Sequence, residues 1–254
     1  MTLLPVYYFQ IMESNFLVHC VNSNLEGVNE CLSRGVDVNT KDGYGSTALM
    51  FVCRRGNSAI VSRLVQVPGL DINYQDRTGY TAAHLASMEG HTQCVRILAE
   101  TGRVDWNKRN NFGRTSLFWE RKFDRRGGTP LYWALVGRHS DIVDIIVGQP
   151  NIDYNLQSGC GHTLAQAAVW SGDLKCVETL AAQERVHCWN VPNRRGNTPI
   201  MWALKVDQTE IVEILLRCPR VDLSCRDEEG WSLVFRAIQK NDLGEKILKI
   251  FENL

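Results

Sequence analysis

The chain has 254 residues, enough for one large domain or two small ones with a substantial buried core. Its 44% hydrophobic and 22% charged content is that of a globular protein, and no apolar run approaches the roughly 18 to 20 residues that a membrane span requires. Lys and Arg number 28 and Asp and Glu 28, so no global field draws nucleic acid or an acidic membrane, and any electrostatic preference has to be local.

In chain order, residues 1–15 open with the apolar string "MTLLPVYYFQIM". It has neither the basic n-region nor the small-residue cleavage site of a secretory signal, and is read as a terminal segment lying against the first helix. From Asn15 the stretch "FLVHCVNSNLEGVNECLSRG" predicts two short helices without an introductory turn. A regular pattern follows. Hydrophobic-Asp-x-Asn recurs as "VDVN" to Asn39, "LDIN" to Asn73, "VDWN" to Asn107 and "IDYN" to Asn155, with looser copies ending at Asn190 and Ser224. The intervals are 34, 34, 48, 35 and 34 residues. Behind each copy comes a polar residue, two positions, Gly, one position, and Thr or Ser: Thr47, Thr81, Thr115, Thr129, Thr163, Thr198 and Ser232.

Each unit is physically legible. Asp/Asn-x-x-Gly is turn chemistry with Gly free to take positive φ, and the Thr stands where a helix N-cap is wanted. From Thr81, "TAAHLASMEG" predicts a first helix with small Ala86 at a close helix contact, a polar break, and a second helix from Thr92 whose Cys94, Val95, Ile97 and Leu98 form an apolar stripe. Neither helix is long enough to stand alone, so stacking on neighbouring units has to supply the core. The fold class is therefore all-α: a solenoid of stacked helix-turn-helix units with projecting β-turn or hairpin fingers.

Two helix-start phrases compete at mid-chain, "TSLFW" from Thr115 and "TPLYW" from Thr129. Thr115 lies 34 residues after Thr81 and Thr129 lies 34 before Thr163, but only Thr129 leads into a complete unit. Residues 115–128 are thus read as a 14-residue insertion, with Thr129 starting the helix. Seven Lys or Arg and four aromatics between Asn107 and Gly128 suit a basic-aromatic finger for an acidic partner; a short duplication forming an incidental loop is the other reading, and the sequence leaves both open.

The Thr-led tetrads Thr47-Ala-Leu-Met50, Thr81-Ala-Ala-His84, Thr129-Pro-Leu-Tyr132, Thr163-Leu-Ala-Gln166 and Thr198-Pro-Ile-Met201, together with stretches such as "TPLYWALVGRHSDIVDIIV", resemble the ankyrin repeat, about six to seven of them over residues 16–254 with atypical terminal caps. The resemblance implies that the tetrad His hydrogen-bonds structurally. Met50, Tyr132, Gln166 and Met201 replace it, so bonds made there have to be substituted or lost. Arg138 and Asp207 stand where Gly normally follows the first helix, and those turns are expected to be strained.

Chemistry is poorly signposted. There is no H-E-x-x-H, paired C-x-x-C, G-x-S-x-G or phosphate loop, and His84, His91 and His139 fall at positions where the resemblance implies structural bonding. No catalytic residue, cofactor or metal site is expected, and an enzyme is the weakest reading. Nine scattered cysteines, several at apolar helical positions, point to free thiols and a reducing compartment, cytoplasmic or nuclear.

The resemblance implies instead a protein-binding scaffold that uses its concave surface of fingers and first helices. Carried over by position, the partner-binding candidates are Tyr44, Arg54, Arg55, Arg77, Tyr80, Met88, Trp119, Arg121, Lys122, Arg125, Arg126, Trp170, Arg194 and Arg195. Arg and aromatics dominate that set, as they do interface hot spots. A positive stripe on a neutral protein calls for an acidic protein surface or peptide, bound by a chain that is monomeric by itself and does not insert into membranes. The alternative is nucleic acid bound along the Arg-rich fingers, against which stand the zero net charge and the acidic final turn.

Overall fold

A computed structural model describes residues 13–111, 127–159, 161–193, 195–227 and 229–239, with residues 245 and 249. It is a two-layer stack of short helices. After α1 (described over residues 13–21) come α2 (Leu25–Ser33), α3 (Ala48–Arg55), α4 (Ser58–Val65), α5 (Ala82–Met88), α6 (Thr92–Glu100), α7 (Pro130–Val136) and α8 (Ser140–Val147). The second half holds α9 (Leu164–Ser171), α10 (Leu174–Ala182), α11 (Pro199–Lys205), α12 (Thr209–Leu216) and α13 (Leu233–Ile238). Odd-numbered helices from α3 to α13 pack in succession to form the inner layer, and even-numbered helices from α2 to α12 form the outer one. None of α2–α13 exceeds nine residues, so each depends on its neighbours for stability.

The repeated residues build most of this stack in the same way. Thr81, Thr129, Thr163 and Ser232 have extended backbones and accept the N–H of His84, Tyr132, Gln166 and Phe235, closing the first turns of α5, α7, α9 and α13. Five positions after the capping Thr or Ser sit Ala86, Ala134, Ala168, Ala203 and Ala237, all fully buried where the layers press together. The outer helices contribute a matching stripe, Ile60-Val61-Leu64, Cys94-Val95-Leu98, Ile142-Val143-Ile146, Cys176-Val177-Leu180 and Ile211-Val212-Leu215, at 1% exposure or less. The expected all-α solenoid is what the chain forms, and extended structure is confined to hairpin bridges such as Lys41 with Thr47 and Arg226 with Ser232 among the described residues.

The Asn of each hydrophobic-Asp-x-Asn phrase stitches units together. Asn39 donates to the Gly69 carbonyl (2.9 Å) and accepts from Asp71 N–H (2.8 Å); Asn73, Asn107 and Asn190 repeat both bonds one unit on. His91 and His139, at the starts of α6 and α8, point Nε2 at the carbonyls of Arg54 (3.0 Å) and Met88 (3.2 Å). A carbonyl only accepts, so both rings carry the proton on Nε2.

At the tetrad position, His84 is fully buried. Its Nδ1 accepts Thr81 N–H (3.1 Å) and its Nε2 donates to the Gly128 carbonyl (3.0 Å) in the next unit. Gln166 reproduces both contacts: Oε1 accepts Thr163 N–H (3.1 Å) and Nε2 donates to Val191 (2.9 Å). At Met50 only a sulfur faces Thr47 N–H, at 3.5 Å. Arg138 (φ 62°) and Asp207 (φ 59°) are left-handed, the strain expected of non-glycine residues there.

Thr129, not Thr115, is the N-cap of α7, with Pro130 opening the helix. In the other hairpins an Asp, Ser or Asn and the residue four positions on are hydrogen-bonded, as in Asp76 with Tyr80 and Ser158 with His162, with two residues before the Gly. Here Asn110 N–H donates to Gly128 and Gly127 N–H donates to Asn110, so both glycines belong to the hairpin frame. The extra length lies between Asn110 and Gly127, as sixteen residues where the others have two. The segment 112–126 itself lies outside the described residues.

Candidate partner-binding face

The projecting turns are held by their own acids and amides. Asp42 Oδ1 accepts Tyr44 and Ser46 N–H, Asp76 Oδ1 accepts Thr78 and Tyr80 N–H, Asn193 Oδ1 accepts Arg195 and Asn197 N–H, and Asp227 Oδ1 accepts Glu229 and Trp231 N–H. Adjacent fingers also bond tip to tip: Arg77 N–H donates to Tyr44 (3.3 Å) and Asn111 N–H to Thr78 (2.8 Å). This close approach explains the turn glycine. A Cβ on Gly79, whose φ is +78°, would lie 2.5 Å from Asn111 N, and one on Gly127 would lie 2.5 Å from Gly159 N.

On this frame Tyr44 is 78% exposed at a tip, and Arg77 and Arg195 are exposed on theirs. Arg54 and Arg55 are exposed at the C-terminal end of α3, where basic residues also complement the helix dipole. Met88 is half-buried at the end of α5. Trp170 is half-buried, edge-on to His162 (ring centroids 4.2 Å apart) and 6.2 Å from Trp202. Tyr80 does not belong with the exposed candidates: it is 8% exposed, its ring 5.8 Å from His84 and 6.1 Å from Trp133, because the next inner helix closes over it. Trp119, Arg121, Lys122, Arg125, Arg126 and Arg194 lie outside the described residues.

Missed by sequence reasoning is a cleft between α3 and α5, lined by Ser46, Met50, Phe51, Leu85 and Met88 with Arg54 and Asp76, of about 210 Å³. Its signal was the pairing of a small Ser46 before one N-cap with Leu85 four positions after the next, where Tyr80 is paired with Trp133 one unit on; Gly128 is the one smaller residue at the first position. At the far end of the face, Trp231 stacks on Phe235 (4.0 Å, 11°), and Arg236 is paired with Asp227 (2.6 Å) and Glu229 (2.5 Å).

Burial is the main cause that lowers the His84 pKa to about 4, so the ring is neutral at pH 7 and both its nitrogens are engaged by the backbone. Seven of the eight described cysteines are buried and all eight are free. Burial pushes Cys20 up to about 12 and Cys94 to about 11, which disfavours the nucleophilic thiolate. No group of three or more His, Cys, Asp or Glu is placed to hold a metal among the described residues, and no described helix is long and apolar enough to cross a membrane.

A family model of ankyrin repeats matches this chain three times, over residues 17–110, 65–158 and 164–251. Among curated proteins, osteoclast-stimulating factor 1 of Sus scrofa is 56% identical over 34 residues, and its counterparts in Xenopus laevis and Rattus norvegicus are 50% identical over the same length. Each match covers 13% of this chain and 16% of the relative, one repeat period, so the likeness is to a unit and not to a whole protein. The family matches, by contrast, run through nearly the whole stack, and the chain belongs to the ankyrin repeat family.

Proposed function

We propose that this chain is a protein-binding scaffold whose finger and inner-helix face takes an acidic surface or peptide. Ankyrin repeats in general mediate protein–protein interaction, and the observation that carries the finer reading is the placement of exposed cations. Arg54 and Arg55 are exposed at the end of inner helix α3, and Arg77 and Arg195 are exposed on fingers, in a protein with zero net charge; among the described residues none of the four is in an ion pair. Exposed guanidinium groups, with the Arg77 finger bonded to that of exposed Tyr44, supply orientation and on-rate toward carboxylates. The tip-to-tip hydrogen bonds support the same reading, since a face that is already ordered loses less entropy on binding.

The test is a capture experiment with three proteins: wild type, Arg77→Glu/Arg195→Glu, and Arg96→Glu/Arg217→Glu. The last pair carries the same charge change on exposed residues of the outer layer. Partners lost by the finger pair and kept by the outer pair support the reading. Equal partner sets from all three would overturn it. Nucleic acid would show instead as binding that collapses between low and physiological salt.

A further inference from the structure

The cleft between α3 and α5 opens where Ser46 and Leu85 stand. One unit later, Tyr80 stands immediately before its N-cap Thr81 and packs its ring 6.1 Å from Trp133, four positions after Thr129. Ser46 and Leu85 occupy the same two positions one unit earlier, and both line the cleft. A hydroxymethyl and a leucine thus face each other where the next pair of units holds a phenol and an indole, and the space left is about 210 Å³. Met50, Phe51 and Met88 add apolar surface, and Thr78 and Tyr80 of the adjoining finger also line the space. A cavity of roughly 150 Å³ accepts a benzene ring, whereas drug-sized ligands need about 300 Å³ or more. The space therefore suits one large apolar side chain.

Around the cleft three arginines stand against one acid of the lining. Arg54 lines it and is exposed, Arg55 follows on the same helix end, and exposed Arg77 sits on the adjoining finger with its stem against Gly45. The acid in the lining, Asp76, commits Oδ1 to Thr78 N–H, the Thr78 hydroxyl and Tyr80 N–H within its own turn. We infer that this cleft is an anchor pocket for a linear segment of the partner, which inserts one Leu-, Met- or Phe-sized side chain and places a neighbouring Asp or Glu on Arg54. The inference rests on the reading that this face binds acidic segments, and adds the apolar anchor. Soft, unbranched Met50 and Met88 let the pocket adapt to any of the three anchors.

The probe is a display library of random 12-residue peptides selected on the wild-type chain, followed by affinity measurements of the enriched peptides on three variants. Ser46→Tyr fills the cleft without changing charge, at a position where Tyr80 shows the side chain to be tolerated; Arg54→Glu reverses the rim; Arg77→Glu/Arg195→Glu reverses the fingers. Enriched peptides are expected to share an apolar residue beside an acid. Replacing that residue by Ala, or using Ser46→Tyr with its thermal unfolding unchanged, is expected to weaken binding by roughly 10- to 150-fold, as burial of one such side chain implies. Unaltered binding to folded Ser46→Tyr, peptides without a common apolar residue, or no enrichment at all would overturn the inference. Acidic peptides that lose affinity on the finger pair but not on Ser46→Tyr would leave the acidic-partner reading standing and the pocket refuted. Peptides insensitive to every variant would refute both.

Discussion

Replacement of His84 separates hydrogen bonding from packing at the repeat's most buried polar position. In His84→Leu the ring's volume is roughly kept, but Thr81 N–H loses its acceptor inside the core, a loss of about 1–3 kcal/mol. The Gly128 carbonyl loses one of two donors and keeps Asn110 N–H, which adds about 0.5–1.5 kcal/mol. The sum, about 2–4 kcal/mol, corresponds to a fall in Tm of roughly 5–15 °C for a chain of this size. His84→Gln should stay within about 1 kcal/mol of wild type, because Gln166 makes the same pair of bonds at 3.1 and 2.9 Å. The two variants also differ from wild type in acid. With a folded pKa of about 4 against about 6.5 unfolded, His84 contributes stability that is intact above pH 6.5 and lost as pH falls toward 4. Between pH 7.5 and 5 that loss is about 2 kcal/mol, and neither Leu nor Gln has it. Thermal unfolding followed by far-ultraviolet circular dichroism at the two pH values measures both effects. If His84→Gln is as unstable as His84→Leu, or retains the full acid dependence of wild type, the bonding account is refuted.

Three further predictions test the hairpins and core. Gly35 and Gly79 share a positive φ (+79° and +78°), but a Cβ on Gly35 meets nothing within 4 Å; Gly35→Ala should cost about 1–2 kcal/mol in denaturant unfolding, and Gly79→Ala about 1–3 kcal/mol more. Deleting residues 112–125 leaves a two-residue tip between Asn110 and Gly127 and should stabilise the fold by about 2 kcal/mol through the shorter loop. Deleting 115–128 restores the same period but puts Arg114 where Gly128 stands, and a Cβ there would lie 2.7 Å from the Tyr132 ring, so this protein should melt lower than the other deletion. Cys20, Cys53, Cys94 and Cys176, each raised chiefly by burial, should label with iodoacetamide far more slowly in native than in denatured protein, as resolved by peptide mass spectrometry; equal rates would contradict the packing.

Much of this protein is determined locally and was legible in its residues. Asp-x-x-Gly makes a turn because the carboxylate accepts N–H groups two and four residues on, and Thr caps a helix through the N–H three residues on. Such bonds span a few residues, so their pattern identifies the turns, the helix starts and the repeat from sequence alone. The strain at Arg138 and Asp207 follows from the same logic.

What the sequence did not determine depends on residues brought together from different units. Tyr80 and Ser46 hold the same place in the repeat, yet Tyr80 is buried because Trp133 arrives from the next helix, while Ser46 leaves a cleft against Leu85. The choice of Gly127 and Gly128 as the hairpin's closing pair is made by Asn110, across the extra segment. Replacement of His84 by Gln166 at the tetrad position is equally non-local, since it depends on a carbonyl 25 residues away standing within 2.9 Å. Local hydrogen bonds set the unit; the stacking of unequal side chains between units decides which tips are covered and where a pocket is left open.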